Sequence, residues 1–419
     1  MMKERVILGK NVNYSTDCNE TGLNNNILIA GASGVGKTMS FSEPRLLQTK
    51  YTSLIATVTK RRIVNKYTPM FKERRYDILD LNFVDPLKSN CGYDPLTYVN
   101  SCSDITFLAR SIVKADPQKE NTHADPYWDE AAISLLSAEI SYILMTKSNP
   151  SFADVLELHD SIYFVESGGG INTSLDRMFE SLERKEPNCF AVSCWRSFAT
   201  LPIKTASCVF GTLNTMMDTI FSPEIRKLMR LEKTIDFEKI ASKKTILFVT
   251  TSAVNPALHS FVNIFYAQAF KQLFEYAELQ EDGMLPIPVH VLCDDFATGG
   301  RILNFPEYIS IFREKQISVT LLLQSESQLE QMYGSNNATT IINNCDTYVY
   351  LGGMDLKTAQ NVSLRLNTPL EDVLYMPIGR EVIFRRGQRP IVTQRYDIQK
   401  DKLYQAVTKE YEKSIMKER

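Results

Sequence analysis

Residues 27–38 have the sequence ILIAGASGVGKT, an apolar run followed by a glycine-rich loop. Its last eight residues, Gly31-Ala32-Ser33-Gly34-Val35-Gly36-Lys37-Thr38, fit the pattern G-x-x-x-x-G-K-[ST]. The run Ile27–Ala30 predicts a buried strand, and residues 37–48 predict the helix that follows. Because a strand, a loop and a helix in this order are the context that the pattern requires, we predict a phosphate-binding loop at 31–38.

The residue types in this loop suit the chemistry of a nucleotide. Glycines let backbone N–H groups point inward at phosphate oxygens, and the start of the following helix adds the positive end of its dipole. Lys37 brings a positive charge to the β- and γ-phosphates, and the Thr38 hydroxyl is a ligand for Mg²⁺. We therefore predict that all eight residues bind ATP together with Mg²⁺.

A loop of this kind needs a carboxylate at the end of a neighbouring hydrophobic strand. The best match is the run 289–293, which Asp294 and Asp295 follow. We predict that Asp294 holds the metal ion and that Asp295 polarises the attacking water. Asp80, at the end of another apolar run, is an alternative carboxylate. The long separation of Asp294 from Lys37 leaves room for further strands, which favours the additional-strand class of P-loop ATPase over compact kinases and GTPases.

Apolar runs alternate with helical patterns in the first hundred residues, which predicts an α/β fold with a mainly parallel central sheet. Helical patterns dominate from residue 103 to about 217. We divide the chain into a first part of the nucleotide-binding domain at 1–102, a mostly helical insertion at 103–217, and a second part with a C-terminal tail at 218–419. Strands are predicted at Ile27–Ala30, Ser53–Thr57, Asp77–Leu81, Thr245–Thr250, Val289–Cys293, Ser318–Leu323 and Thr347–Leu351.

One predicted strand ends in a polar residue. Ser318–Leu323 leads into Gln324, which could sense the γ-phosphate or orient water if this strand lies next to the carboxylate strand. An ordinary strand-end glutamine is the alternative.

The charge balance bears on the partners of the protein. A net charge of -2 argues against a polycation that coats nucleic acid, although a local basic channel stays possible. Lys60-Arg61-Arg62 and the group Lys72, Arg74 and Arg75 are candidates for DNA contact, and a solvated helix face is the alternative. No run reaches the roughly 18 apolar residues of a membrane span. We therefore expect a cytoplasmic protein.

Several segments together resemble the motor domain of type IV coupling proteins of conjugation and type IV secretion, in the FtsK/HerA group of DNA-translocating ATPases. Residues 380–396 are similar to the closing hairpin of that family. The other similar segments are NNNILIAGASGVGKTMSFSEPRLLQ, GYDPL, VHVLCDDFATGG, ISIFREKQISVTLLLQSESQLEQMYG and IINNCDTYVYLGG.

The resemblance implies a RecA-like P-loop NTPase with an inserted all-helical domain. It implies hexameric rings, ATP hydrolysis coupled to translocation of single- or double-stranded DNA, and delivery of a DNA-bound relaxase to a secretion channel. It gives Lys37 and Thr38 the nucleotide role, Asp294 the metal role and Gln324 the sensing role. An arginine that reaches the γ-phosphate of a neighbouring subunit is also implied. Arg313 is the candidate, and a solvated helix charge is the alternative.

The sequence departs from the family pattern in several places. No transmembrane hairpin precedes the motor domain, so we expect membrane contact only through partners, at the inner face of the membrane. Residues 57–62 are TVTKRR where the family has D-P-K-G-E, and Asp94 replaces an asparagine. Asp295 replaces a glutamate and is shorter by about 1.5 Å, so we expect slow hydrolysis. These departures keep open a second hypothesis, a nucleotide-binding assembly subunit with weak or no ATP hydrolysis.

Overall fold

The structure, a computed structural model, describes residues 4–115, 126–167, 170–252, 255–296 and 301–418. Its strands are β1 (Arg5–Gly9), β2 (Val12–Ser15), β3 (Ile27–Ala30), β4 (Ser53–Val58), β5 (Asp77–Asn82), β6 (Phe164–Ser167), β7 (Gly170–Thr173), β8 (Thr245–Thr250), β9 (Val289–Cys293), β10 (Ile317–Leu323), β11 (Thr347–Tyr350), β12 (Arg380–Arg385) and β13 (Ile391–Gln394). Its α-helices are α1 (Cys18–Thr21), α2 (Glu43–Gln48), α3 (Arg61–Glu73), α4 (Cys102–Val113), α5 (Pro126–Thr146), α6 (Phe152–Asp160), α7 (Asp176–Lys185), α8 (Phe190–Ala199), α9 (Ile203–Ile220), α10 (Pro223–Met229), α11 (Phe237–Ser242), α12 (Pro256–Glu278), α13 (Phe305–Ile311), α14 (Glu326–Tyr333), α15 (Ser335–Asn343), α16 (Leu356–Leu366), α17 (Leu370–Leu374) and α18 (Lys402–Glu418). Within the described ranges, no helix is both long enough and apolar enough to cross a membrane.

A central sheet organises the molecule, with the strand order β13-β12-β11-β3-β10-β9-β4-β8-β5. The strands from β11 to β5 pair in parallel, and the β12–β13 hairpin adds an antiparallel edge. Every residue of β3, β4, β8 and β9 is buried. Helices cover both faces of such a sheet, so its strands are continuous apolar runs and not alternating patterns. The predicted α/β fold with a mainly parallel sheet is confirmed.

The predicted strands all form, and their ends differ from the prediction by at most one or two residues. The helix predicted at 37–48 is divided into a π-helical turn, Thr38–Ser42, and α2. Pro44 lies at the start of α2 and has no N–H to donate, so α-helical hydrogen bonding cannot run unbroken through this point.

Helices α4 to α11 lie between β5 and β8 in the chain. This part of the chain includes residues 103–217, where helical patterns dominate the sequence. Helices α4 to α9 account for most of the described part of the segment 103–217 that the sequence predicts to be helical. A small hairpin of β6 and β7, which the sequence patterns did not indicate, interrupts the helices. Helices continue past residue 217 through α10 and α11, up to β8. The division into domains stays a prediction.

The two ends of the chain pack close to the sheet. The hairpin predicted at 380–396 is formed by β12 and β13, and the hairpin of β1 and β2 meets it where Lys10 N donates to Gln394 O at 2.8 Å. The C-terminal helix α18 packs on α3, and the Lys66 ammonium lies 3.5 Å from the centre of the Tyr404 ring. The last helix is therefore anchored to the sheet layer.

The sheet topology brings three chain segments to one edge. β10 pairs with β3 on one side and with β9 on the other, always in parallel. The carboxyl ends of parallel strands meet at the same edge of a sheet, which is where open α/β sheets bind ligands. The segments that begin at Gly31, Asp294 and Gln324 therefore lie side by side.

Candidate nucleotide site

The phosphate loop has the backbone conformation that its glycines permit. Gly34 and Gly36 have φ angles of 78° and 89°, in the left-handed region that side chains with a Cβ rarely adopt. A Cβ at either position would meet nothing within 4 Å, so the requirement for glycine is conformational and the loop surface is open there. Gly31 is different, because a Cβ there would lie 2.8 Å from Leu351 Cβ. The loop thus fits tightly against β11 at its start and is open at its tip.

Lys37 lies over the loop that it follows. Its Nζ donates to Gly31 O at 2.7 Å and to Ala32 O at 3.2 Å. Burial lowers the pKa of the Lys37 ammonium, while the Asp295 and Asp294 carboxylates act in the opposite direction. The charge is therefore held at the loop, next to both carboxylates.

Thr38 and Asp294 are brought together across one intervening strand. The Thr38 hydroxyl donates to Asp294 Oδ2 at 3.1 Å. Burial raises the pKa of Asp294 to about 6, the neighbouring Asp295 charge adds to this, and the Thr38 hydrogen bond and Lys37 oppose it. A hydroxyl and a carboxylate are the hard oxygen ligands that Mg²⁺ prefers. The two side chains predicted to hold the metal therefore fit it in kind and in position.

Asp295 occupies a sharp turn at the end of β9. Its φ angle is 55°, a left-handed value that aspartate tolerates better than most residues. The turn is anchored by the next residue, because Phe296 N donates to Leu322 O of β10 at 2.8 Å. The backbone of Asp295 is thus fixed by the sheet. Residues 297–300, which complete the similar segment, lie outside the described part of the chain.

Gln324 lies where the topology requires for the predicted sensing role. It follows β10, between the loop strand β3 and the carboxylate strand β9, and its side chain is exposed. Gly31 N donates to Leu323 O at 3.1 Å, so the start of the loop is hydrogen-bonded to the residue before Gln324. The role itself stays a prediction.

Arg313 lies at the opposite edge of the sheet. It belongs to a single 3₁₀ turn, Phe312–Lys315, just before β10, and it is exposed. The seven residues of β10 separate it from the loop edge by about 20 Å. Arg313 therefore does not reach the phosphate loop of its own chain, and a nucleotide contact would have to be made in another subunit.

The alternative carboxylate, Asp80, is not part of the loop edge site. It lies on β5, the edge strand that is five strands away from β3, a distance of about 24 Å. Its carboxylate forms an ion pair with the Arg61 guanidinium. Asp80 therefore cannot serve the phosphate loop of the same chain, and its charge is balanced by Arg61.

These features agree with comparisons of the whole chain. The family model described as "Type IV secretory system Conjugative DNA transfer" matches residues 2–368. The chain belongs to this family. No protein with a curated description matches the chain at a significant level.

Solved structures of this transfer machinery have a similar fold. The bacterial conjugative coupling protein TrwB, in a trigonal form with sulphate, aligns with a TM-score of 0.66 at 16% identity, over 89% of this chain and 85% of TrwB. TrwB in complex with the non-hydrolysable ATP analogue ADPNP gives a TM-score of 0.64 with the same identity and coverage. VirB4 of Thermoanaerobacter pseudethanolicus gives 0.53 at 10% identity, over 91% of each chain.

The segment at the end of β4, where the sequence departs from the pattern that the family resemblance implies, has defined contacts in the structure. Thr57 is hydrogen-bonded to the Tyr266 hydroxyl, Lys60 is the N-cap of α3, and Arg61 pairs with Asp80. A cavity of about 50 Å³ lies between this segment and the carboxylates. Its polar lining includes Thr57, Thr59, Thr251, Asn263, Asp294 and Asp295. The departure from the family pattern therefore borders the candidate site.

The basic groups considered for DNA contact differ in their surroundings. Arg61 is neutralised by Asp80, and Arg74 Nη1 donates to Thr49 O at 2.6 Å. Arg62 and Arg75 are exposed at opposite ends of α3, about 20 Å apart. The two groups do not form one continuous basic surface.

Asp94, another departure from the pattern that the family resemblance implies, is held by hydrogen bonds in the interior. It is buried, and its Oδ1 accepts from Leu96 N at 2.8 Å and from Phe152 N at 3.1 Å. Burial raises the pKa of its carboxyl, against the opposing effect of these hydrogen bonds. An amide oxygen could accept the same bonds, so the asparagine that the family resemblance implies would also fit this position.

The sequence analysis missed Arg395, which contacts the phosphate loop directly. Its Nη1 donates to Val35 O, and its Nη2 donates to Leu351 O at 2.6 Å. Arg395 follows β13, at the far end of the chain from Val35. No local pattern marks such a contact, because it depends on how the closing hairpin docks beside β11.

Proposed function

We propose that this protein is an ATP-driven motor that moves DNA or nucleoprotein into a secretion channel during conjugative transfer. The observation that carries the proposal is the open phosphate loop, with the Thr38 hydroxyl 3.1 Å from Asp294 Oδ2. Membership of the conjugative DNA transfer family supports the transfer role. TrwB structures with ADPNP and with ADP and Mg²⁺ support these ligands for the present chain.

The proposed roles follow from the positions of the side chains. The loop at 31–38 binds the phosphates through backbone N–H groups, and Lys37 exchanges its two carbonyl acceptors for phosphate oxygens. Thr38 and Asp294 hold Mg²⁺, which when bound supplies charge neutralisation for the phosphates. Asp295 accepts a hydrogen bond from the attacking water and orients it. Gln324, at the end of the strand between them, senses the γ-phosphate.

The assembly part of the proposal concerns the opposite edge of the sheet. Because Arg313 lies about 20 Å from the loop of its own chain, it acts only if a second copy brings it to a neighbouring nucleotide. A homo-oligomeric ring, of six subunits as the family resemblance implies, supplies that arrangement. The mostly helical insertion at 103–217 is then available to a relaxase, DNA or the secretion channel. Membrane contact is made through those partners.

A second candidate function is a nucleotide-binding assembly subunit with weak or no hydrolysis. The observation that favours it is Asp295, which is shorter than glutamate and is fixed in a left-handed turn by the Phe296–Leu322 hydrogen bond. A carboxylate about 1 Å out of place costs on the order of a hundredfold in rate. Nucleotide binding would then drive assembly without turnover.

The test separates binding from turnover. Calorimetric titration with Mg²⁺ and ADPNP should show binding to the unmodified protein and a large loss of affinity in Lys37→Ala, because the charge at the loop is removed. Equal affinity in the two proteins contradicts the site. ATP turnover that DNA stimulates supports the motor, while tight binding without turnover supports the assembly subunit. Electron microscopy with ADPNP and DNA then shows whether rings form.

A further inference from the structure

We propose that Arg395 is a positioning residue, which fastens the phosphate loop to the C-terminal hairpin and so fixes the direction of a phosphate-binding N–H group. The inference rests on the proposed nucleotide binding at residues 31–38. It adds a residue from the closing hairpin to a site otherwise built from the loop and the ends of neighbouring strands.

Arg395 holds one end of the peptide unit between Val35 and Gly36. A trans peptide is planar, and its C=O and N–H groups point in opposite directions. Arg395 Nη1 takes the Val35 carbonyl as its acceptor. With that carbonyl held on the hairpin side, the N–H of Gly36 is directed away from Arg395. Gly36 has a left-handed φ of 89°, which permits several orientations of this peptide, so an external constraint is needed.

The Arg395 guanidinium also binds a second carbonyl, that of Leu351. Arg395 Nη2 donates at 2.6 Å to the carbonyl of Leu351, the residue that follows β11. The same segment also holds the start of the loop, because Ala32 N donates to Gly352 O at 3.1 Å. Arg395 therefore joins the tip of the loop to the strand that already supports its start. A planar guanidinium can serve both carbonyls at once, whereas an ammonium is a single point of donation.

The closing hairpin holds Arg395 in place. Its backbone continues the β12–β13 ladder, since Arg395 N donates to Gly379 O at 2.9 Å. Glu381 pairs with Thr393 in that ladder, two residues before Arg395, and side chains two apart share a face of the strand. Glu381 is fully buried, and neither carboxylate oxygen has a hydrogen-bond partner among the described residues. Burial raises the pKa of this carboxyl, and the Arg395 charge opposes that rise.

The hairpin that carries Arg395 is tightly packed around Glu381. Gly9 of the first hairpin approaches so closely that an added Cβ would collide with Glu381 Oε1. The Nε of Arg395 is also buried without a hydrogen-bond partner in the described part of the chain. The packed hairpin thus holds Arg395 while the two Nη atoms of its guanidinium bind the loop.

The experiment uses the full chain with two readouts. We compare Arg395→Met and Arg395→Lys with a matched control, Arg74→Met, which also removes an arginine-to-carbonyl hydrogen bond but lies away from the loop. Calorimetry with Mg²⁺ and ADPNP should give affinity about 10- to 100-fold weaker for Arg395→Met, the loss expected for a charge-assisted hydrogen bond. Arg395→Lys should recover part of it, and Arg74→Met should bind as the unmodified protein does.

The second readout needs no nucleotide. Hydrogen exchange of a peptide that covers residues 31–38 should be faster in both Arg395 variants and unchanged in the control. Normal affinity and normal exchange in Arg395→Lys and Arg395→Met overturn the inference, as does an equal effect of Arg74→Met. If the unmodified protein binds no nucleotide but its loop still loosens without Arg395, the proposed function fails and the fastening role stands. If Arg395→Met does not fold, Arg395→Lys decides alone.

Discussion

Replacing Asp294 by asparagine should stabilise the nucleotide-free protein and, in the same molecule, remove its response to Mg²⁺ and nucleotide. Burial raises the pKa of this carboxyl from 3.8 to about 6. Each pKa unit corresponds to about 1.4 kcal/mol, so an ionised Asp294 costs the folded state about 3 kcal/mol. Asparagine keeps an oxygen acceptor for the Thr38 hydroxyl and carries no charge.

The sign follows from proton binding. Between about pH 4 and pH 6 the folded state binds a proton at Asp294 that the unfolded state has lost, so stability falls as the pH rises through this window. The full penalty is present above about pH 6 and absent below about pH 4. The advantage of Asp294→Asn should therefore be near zero at about pH 4 and should reach its maximum at about pH 7.

Thermal melting in the presence of a chelator measures this advantage. The unfolding entropy of about 2.1 cal/mol/K per residue makes a gain of about 3 kcal/mol equal to about 3 °C for a chain of 419 residues. Asp282→Asn is the control, because it removes an exposed carboxylate that lies outside the site and accepts a hydrogen bond from Met284 N. A melting temperature of Asp294→Asn below that of the unmodified protein at about pH 7 would refute the reasoning.

Mg²⁺ and nucleotide should reverse the order of the two melting temperatures. Mg²⁺ with ADPNP at about a thousand times its Kd should stabilise the unmodified protein by about 4.1 kcal/mol, which exceeds the advantage of about 3 kcal/mol that Asp294→Asn has without ligand. Asp294→Asn lacks the charged metal ligand, so its melting temperature should rise little. A full response to Mg²⁺ and ADPNP in Asp294→Asn would show that Asp294 does not hold the metal.

Substitutions at three further positions test other parts of the site and its support. Asp295→Glu should raise ATP turnover and Asp295→Asn should lower it, with ADPNP affinity nearly unchanged in both; a steady-state assay that finds Asp295→Asn as fast as the unmodified protein removes this residue from the mechanism. Asp94→Ala should lower the unfolding free energy by about 1–3 kcal/mol, because it leaves the buried Leu96 and Phe152 amides unsatisfied, whereas Asp94→Asn should be tolerated in the same melting experiment. Burial raises the pKa of Glu381 to about 8, so the stability of Glu381→Gln relative to the unmodified protein should increase as the pH rises through the window between about 4.5 and 8; a difference that does not change with pH argues against a buried, titrating carboxyl.

The sequence predicts the site where function depends on short, contiguous patterns. The run Ile27–Ala30 is apolar throughout, and glycine follows it. Adjacent residues therefore predict both the buried strand and the loop. The run before Asp294 has the same form. Because these strands are parallel, their carboxyl ends share an edge, and the strand order then places Thr38 and Asp294 with only one strand between them. β10 lies next to β9, which is the condition that the sensing role of Gln324 requires.

The sequence does not predict contacts that depend on docking between distant segments. Arg395 meets Val35 only after the closing hairpin has packed beside β11. Asp80 resembles a catalytic carboxylate in sequence, and only the strand order shows that it lies at the far edge, paired with Arg61. The small hairpin of β6 and β7 is likewise too short to produce a clear alternating pattern.

The cavity beside Asp295 bears on how a short carboxylate could still orient water. Either the backbone must move toward the nucleotide or a second water must bridge the gap. The hydrogen bond from Phe296 N to Leu322 O ties the turn to β10, so moving the backbone would break a contact of the sheet. The cavity of about 50 Å³ has Asp295 and Thr57 in its lining, and a water needs only about 10–15 Å³ of such volume with two to four polar partners. The bridging water is therefore the less costly solution. On this argument Thr57 and Thr59, at the end of β4, form one polar pocket with the shortened carboxylate. The added methylene of Asp295→Glu should then take the place of a bridging water.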